Sequence, residues 1–176
     1  MAKAQLAVGM TIDGFHLEQR LHRGGMADIW LATDPDGHTI AVRKLHDRLR
    51  FSLVARRRFL RGCEILKQIH DHDHVIGYLE HGKIGGSLYC LMEYVEGANL
   101  KELYAAHHPL LTENVAQILI DMAEGLNYAL SQRFTHRDLK LTNVLLSSQG
   151  VAKLVDFGLA GSDGAMYFQS RERAKR

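Results

Sequence analysis

Residues 134–143 read FTHRDLKLTN and place a carboxylate (Asp138), an ammonium (Lys140) and a carboxamide (Asn143) in one short stretch. The triplet DFG at 156–158 adds a second carboxylate, Asp156. Oxygen donors of this kind are hard ligands that suit Mg²⁺, whose shell is completed by water and phosphate oxygens. Phosphoryl transfer asks for such a set, because it needs in-line positioning and neutralised phosphate charge rather than covalent help from the protein. The plain reading of the same side chains is capping and turn groups on a loop. Their joint occurrence at this spacing tells against that reading.

These groups need a scaffold upstream. FHLEQRL at 15–21 alternates apolar and polar residues, the pair Gly24 and Gly25 interrupts it, and ADIWLATD resumes a strand. Asp34-Pro35-Asp36-Gly37 is turn chemistry, since proline presets φ and glycine accepts positive φ. HTIAVRKL gives a third strand, so 15–45 read as an antiparallel meander. Residues 52–69 put Leu53, Phe59, Leu60, Cys63, Leu66 and Ile69 at mostly helical spacing, with arginines between them. HVIGYLEHG and SLYCLMEYVEG read as two more strands about Gly85 and Gly86. A linker at 96–99 leads to a short helix, ANLKELYAA. Thr112 then stands as N-cap of a longer helix whose apolar stripe is Val115, Ile118, Leu119, Met122, Leu126 and Leu130. NVLLS and VAKLVDFG close the pattern as two short strands joined by a Ser-Ser-Gln-Gly turn.

HRDLKLTN followed by DFG, with LYCLMEYVEG as a hinge-like strand and the meander with its Gly-Gly turn, resembles the protein kinase family. Lys140 after HRDL fits its Ser/Thr branch of bacterial type. The resemblance implies an α+β fold of two lobes. A five-stranded antiparallel N-lobe with one helix would cover 1–95. An incomplete, mainly helical C-lobe carrying the catalytic loop and DFG would cover 96–160, and 161–176 would begin a disordered activation segment. It implies ATP and Mg²⁺ as cofactors, with the nucleotide held between the lobes. By the same resemblance Asp138 would accept or orient the substrate hydroxyl, Lys140 would steady the transferred phosphate, and Asn143 and Asp156 would hold Mg²⁺. The implied ATP contacts are Leu21, Gly24, Gly25, Ile29, Ala41, Arg43, Met92, Glu93, Val95 and Leu145. Met92 would be the gatekeeper, Glu93 and Val95 would offer backbone groups to adenine, and Ile29, Ala41 and Leu145 would sandwich the base. Leu66, Leu88, His136 and Phe157 match the stacked apolar spine of active kinases.

The chain also departs from the pattern. The glycine loop, HRGGMADI at 22–29, keeps only the middle family glycine, as Gly24, which weakens the cradle of N–H groups for phosphate. In AVRKL at 41–45, alternation along a strand puts Arg43 on the face of Ala41, where the family has lysine, and turns Lys44 away unless a bulge intervenes. Arginine keeps the charge but not the compact ammonium. Gly62 falls where the family's helix glutamate belongs, and Glu64 lies roughly 200° round the helix. The chain ends 18 residues after Gly158. That predicts a partner chain, self-association or a longer product to cover the helical lobe. The activity of this chain is therefore open, and the alternative is a pseudokinase or nucleotide-binding interaction module without catalysis.

Composition fits a globular chain: 46% apolar, 24% charged, two prolines and a net charge of +2. No global field argues for nucleic acid or a membrane surface, and no apolar run is long enough to span a bilayer. Two cysteines without a CxxC pair point to a reduced, cytoplasmic setting. The expected partners are nucleotide and protein. HDHDH at 70–74 reads as a solvated loop rather than a metal site, and the arginines at 48–61 as a solvated helix face.

Overall fold

The computed structural model describes residues 8–12 and 14–161, with only the backbone of Ile12. Of the expected activation segment at 161–176, residues 162–176, with Ser162 and Ser170 as possible phosphate acceptors, lie outside the described residues. The chain divides into two compact units: residues up to Cys63 with Gly77–Tyr94, and Glu64–Ile76 with Val95 onward.

The first unit is an antiparallel sheet. Its five expected strands are β2 (Phe15–Arg23), β3 (Ala27–Thr33), β4 (Thr39–Leu45), β5 (Tyr78–Ile84) and β6 (Ser87–Glu93), and a two-residue strand β1 (Thr11–Ile12) extends one edge. The order is β1-β2-β3-β4-β6-β5. The β3–β4 turn closes as its sequence dictates. Asp34 Oδ1 accepts from the N–H groups of Asp36 at 2.9 Å and His38 at 2.7 Å. The bond from the His38 N–H is the main reason the Asp34 carboxyl sits below its ordinary range. Alternation divides the sheet into two faces. Leu17, Trp30, Ala32, Ile40, Val42, Tyr89 and Leu91 form a buried cluster on one of them. On the other, helix α1 (Leu53–Ile69) brings Phe59 beneath Arg43 and Cys63 against Cys90. Ser52 starts the helix, its hydroxyl accepting from Ala55 N–H at 3.3 Å.

The second unit joins a three-stranded sheet, β7 (Gly97–Asn99), β8 (Val144–Ser147) and β9 (Ala152–Leu154), to helices α2 (Leu100–Ala105), α3 (Pro109–Glu113) and α4 (Val115–Ser131). Two sequence expectations change here. Residues 97–99 form a strand paired with β8 rather than a linker. Thr112 lies inside α3 and donates to Pro109 carbonyl, so Asn114 is the residue that opens α4.

The apolar stripe of α4 is also turned from its expected place. The buried positions are Ile118, Asp121, Gly125 and Ala129, while Val115 and Leu119 are exposed. The reason is what α4 packs on. Segment 74–76 pairs with β9 through Leu154 N–H to His74 carbonyl and Ile76 N–H to Leu154 carbonyl. Gly125 meets that segment so closely that a Cβ would lie 2.6 Å from the His74 carbonyl. Asp121, 2% exposed, accepts from Ala152 N–H in β9 at 2.9 Å and from Gln117 Nε2 at 2.7 Å. Asp121→Ala strands a buried N–H and is expected to lower stability by about 2 kcal/mol. Urea unfolding checks this, and a midpoint equal to wild type rejects the bracing role.

HDHDH belongs to the same packing. His74 Nδ1 lies 3.0 Å from the Ala152 carbonyl and Nε2 lies 3.3 Å from Glu124, while the His72 ring stacks on Tyr128 at 4.5 Å.

Candidate active site

In the second unit a histidine ties the two chemistry-bearing segments together. His136 is buried, and its Nε2 donates to Val155 carbonyl at 2.9 Å. Its Nδ1 then accepts from Asp138 N–H at 3.3 Å, so one neutral tautomer serves both bonds. Asn143 carbonyl accepts from Val155 N–H, and Thr135 and Gly161 exchange a pair of backbone bonds. Phe157 packs on His136 with ring centroids 4.6 Å apart. Residues 135–143 are thereby fastened to 155–161, so the groups of HRDLKLTN and DFG sit on one braced frame.

Within that frame Asp138 Oδ2 accepts from Lys140 Nζ at 2.9 Å. Asn143 Nδ2 donates to Asp138 carbonyl at 2.8 Å and reaches its Oδ2 at 3.4 Å. Asn143 is 5% exposed; its amide nitrogen is spent on Asp138, and its oxygen lies 3.4 Å from Thr142 Oγ1. Arg137 and Asp156 both hold positive φ, 60° and 62°. Such backbone costs of order 1–3 kcal/mol and persists where surrounding contacts enforce it. The bond from Gly158 N–H to Asp156 Oδ1 at 3.3 Å is one such contact. The Asn143 amide oxygen and the Asp156 carboxylate are hard oxygen donors, of the kind that suits Mg²⁺ and would not select a soft metal. Val95 and Leu145 also fall in this unit, both half-buried, with Leu145 on β8.

The remaining expected nucleotide contacts, Leu21, Gly24, Gly25, Ile29, Ala41, Arg43, Met92 and Glu93, lie in the first unit. The sheet sets several side by side: Ile29 faces Arg43, Leu31 faces Ala41, and Ala41 faces Met92. β3 and β4 pair without a shift from Ala27↔Leu45 to Thr33↔Thr39, so no bulge brings Lys44 round. Arg43 is the residue on the Ala41 face. Its guanidinium lies 5.4 Å from the Phe59 ring centroid, an aromatic contact one turn before Gly62. Lys44 is 7% exposed and donates to Asp47 at 2.6 Å, and Asp47 Oδ1 also accepts from Ser87. Glu93 is tied on both sides: its N–H bonds Gly77 carbonyl and its carboxylate accepts from Gly77 N–H.

Sequence reasoning passed over Asp47, Asp121 and His46, and read Arg48 only as part of a solvated helix face, whereas it lies in the 3₁₀ turn Asp47–Leu49 and donates to Gly25 carbonyl. Asp121 is the buried partner just described, and Asp47 the half-buried one. His46 and Arg48 hold the glycine loop. The i,i+4 spacing of Gln117 and Asp121 on α4 was a local signal for one of them. Beneath Arg43, the bond with Cys63 and burial push the Cys90 thiol far up, which disfavours the reactive thiolate there; Cys63 is buried beside it. No helix among the described residues is long and apolar enough to cross a membrane.

The protein kinase domain family matches residues 15–167. The chain is 30% identical over 165 residues to serine/threonine-protein kinase PknJ of Mycobacterium bovis, covering 91% of this chain and 28% of PknJ. It is 29% identical over 150 residues to the probable serine/threonine-protein kinase PknB of Lactococcus lactis, covering 84% of this chain and 24% of PknB. A crystal structure of the Mycobacterium tuberculosis PknI kinase domain superposes with a TM-score of 0.73 at 30% identity, covering 89% of this chain and 63% of that one. The chain thus spans about a quarter of the length of the curated relatives it matches, and under two thirds of the PknI domain. With the HRDLKLTN and DFG segments braced as a unit and the five expected strands in place, the chain belongs to the protein kinase domain family, on the side of the bacterial Ser/Thr kinases.

Proposed function

We propose that the chain binds Mg·ATP and provides the catalytic loop for phosphoryl transfer to a protein Ser or Thr hydroxyl. The observation that carries this is the braced set of Asp138, Lys140, Asn143 and Asp156, an arrangement with little purpose in a simple turn. In this reading Asp138 orients the hydroxyl and takes its proton. Lys140 balances charge on the moving phosphoryl group, and Arg43 does so from the sheet. Asn143 and Asp156 hold Mg²⁺, which when bound neutralises charge on the phosphate oxygens. Met92 and the neighbouring backbone of Glu93 and Val95 receive adenine, with Ile29, Ala41 and Leu145 against its faces.

A pseudokinase reading has a specific observation in its favour: Arg43 rests on Phe59, and Gly62 stands at the glutamate position. Arginine can nonetheless meet phosphate directly through its fork of donors, without a carboxylate to orient it. Nucleotide binding is the step common to both readings and is tested first. Titration with ATP and Mg²⁺ is expected to raise the unfolding temperature, with about 2.7 kcal/mol gained at a hundredfold excess over Kd. An unchanged midpoint at millimolar nucleotide overturns both.

A further inference from the structure

The loop joining β2 to β3 has lost two family glycines, yet its carbonyls are held from outside. His46 Nε2 donates to Gly24 carbonyl at 2.8 Å. Arg48 Nη2 donates to Gly25 carbonyl at 2.9 Å, and His46 N–H donates to Met26 carbonyl at 3.0 Å. Three consecutive carbonyls, at 24, 25 and 26, are taken up by the residues that leave β4. The fold of the loop itself is tight. Gly24 N–H bonds Ala27 carbonyl at 3.0 Å, and a Cβ at Gly24 would lie 2.9 Å from that oxygen.

The consequence follows from peptide geometry. In a trans peptide unit the N–H points opposite to the C=O it shares a plane with. Fixing the Gly24 and Gly25 carbonyls toward 46–48 therefore aims the N–H groups of Gly25 and Met26 away from the clasp, as a pair of adjacent donors. Successive backbone N–H groups of this kind make an anion-binding concavity. The His46 Nδ1 lies 3.5 Å from Asp28 Oδ2 in the same hairpin. The other Asp28 oxygen is buried with no hydrogen-bond partner among the described residues.

The geometry points to His46 and Arg48 as positioning residues that preset the loop for the phosphates of a nucleoside triphosphate, doing by hydrogen bonds what the missing glycines do by close approach. This rests on the nucleotide reading above. A loop fixed before binding loses less freedom on binding, and the gain falls on the phosphates alone.

The test compares ATP with Mg²⁺ against adenosine, which keeps the base and sugar and lacks phosphates. The proteins are wild type, H46A/R48A and H46Q/R48K, whose side chains can still donate. For H46A/R48A, ATP affinity is expected to fall about tenfold while adenosine affinity stays within about twofold. With ATP and Mg²⁺ bound, the Gly25 and Met26 amides are expected to be less protected from hydrogen exchange in H46A/R48A than in wild type, and H46Q/R48K should recover part of the ATP affinity. Equal losses for both ligands mean a merely structural role and overturn the clasp, as does unaltered ATP affinity. Wild type that binds neither ligand overturns the nucleotide reading, and the role of the clasp with it. Wild type that binds ATP beside an insensitive variant overturns the clasp alone.

Discussion

Asp47→Ala is expected to lower the unfolding free energy by about 3 kcal/mol, because it strands the Lys44 ammonium in the sheet. Lys44 is 7% exposed, and its side chain ends on Asp47 at 2.6 Å. The estimate takes the low end for breaking a buried pair, since the Asp47 side chain itself is 29% exposed. Replacing both partners, as in Lys44→Met with Asp47→Ala, removes the stranded charge and is expected to return most of the loss. Urea unfolding of the single and double variants decides it, and a double variant as unstable as the single rejects the pairing argument. The acid limb of stability carries the same signature. Burial works against ionisation of Asp47, but the bonds from Lys44 and Ser87 and the charges of Lys44 and Arg50 outweigh it and hold the carboxyl below its ordinary value of 3.8. A depressed carboxylate stabilises the fold fully above that ordinary value. The gain disappears as pH falls through the lower folded value. Asp47→Asn is expected to flatten this part of the profile.

The same pair explains why AVRKL was half legible. Alternation alone gave Arg43 the face of Ala41, and the unbroken β3–β4 register agrees. What alternation could not supply was the destination of Lys44, because its partners come from a 3₁₀ turn at Asp47–Leu49 and from Ser87 at the start of β6. Residues that make one short motif, such as HRDLKLTN, are readable because local spacing already carries their chemistry. Residues that act across long separations leave little trace. Asp121 lay within a helix read as an apolar stripe, and its bond to Ala152 spans 31 positions. His46 reaches back 22 positions to Gly24. The α4 stripe was misplaced for a related reason: composition shows which residues are apolar, but packing against segment 74–76 chose the face, and a glycine and an aspartate won places in it.

Asp138→Asn is expected to lower phosphoryl transfer to a basic protein substrate by roughly 10²–10⁴-fold, the range for a positioned acid–base group. Mg·ATP affinity should stay within about twofold, because Asn143 and Asp156, not Asp138, hold Mg²⁺ in the proposed reading. The substitution is chosen for what it preserves. Asp138 Oδ2 accepts from Lys140 and Asn143, and the backbone N–H and carbonyl of Asp138 bond His136 and Asn143. An asparagine oxygen can still accept from both side chains, so the loop keeps its shape while losing the charge that would draw a hydroxyl proton. Asp156→Asn is the contrasting variant, expected to weaken ATP binding chiefly when Mg²⁺ is present, because it removes a charged ligand. Radiolabel transfer and nucleotide titration on the same preparations separate the roles. Undiminished transfer in Asp138→Asn assigns the proton to another group. Nucleotide binding without transfer in wild type favours the non-catalytic reading, in which the Asp138 loop holds a ligand and does no chemistry on it.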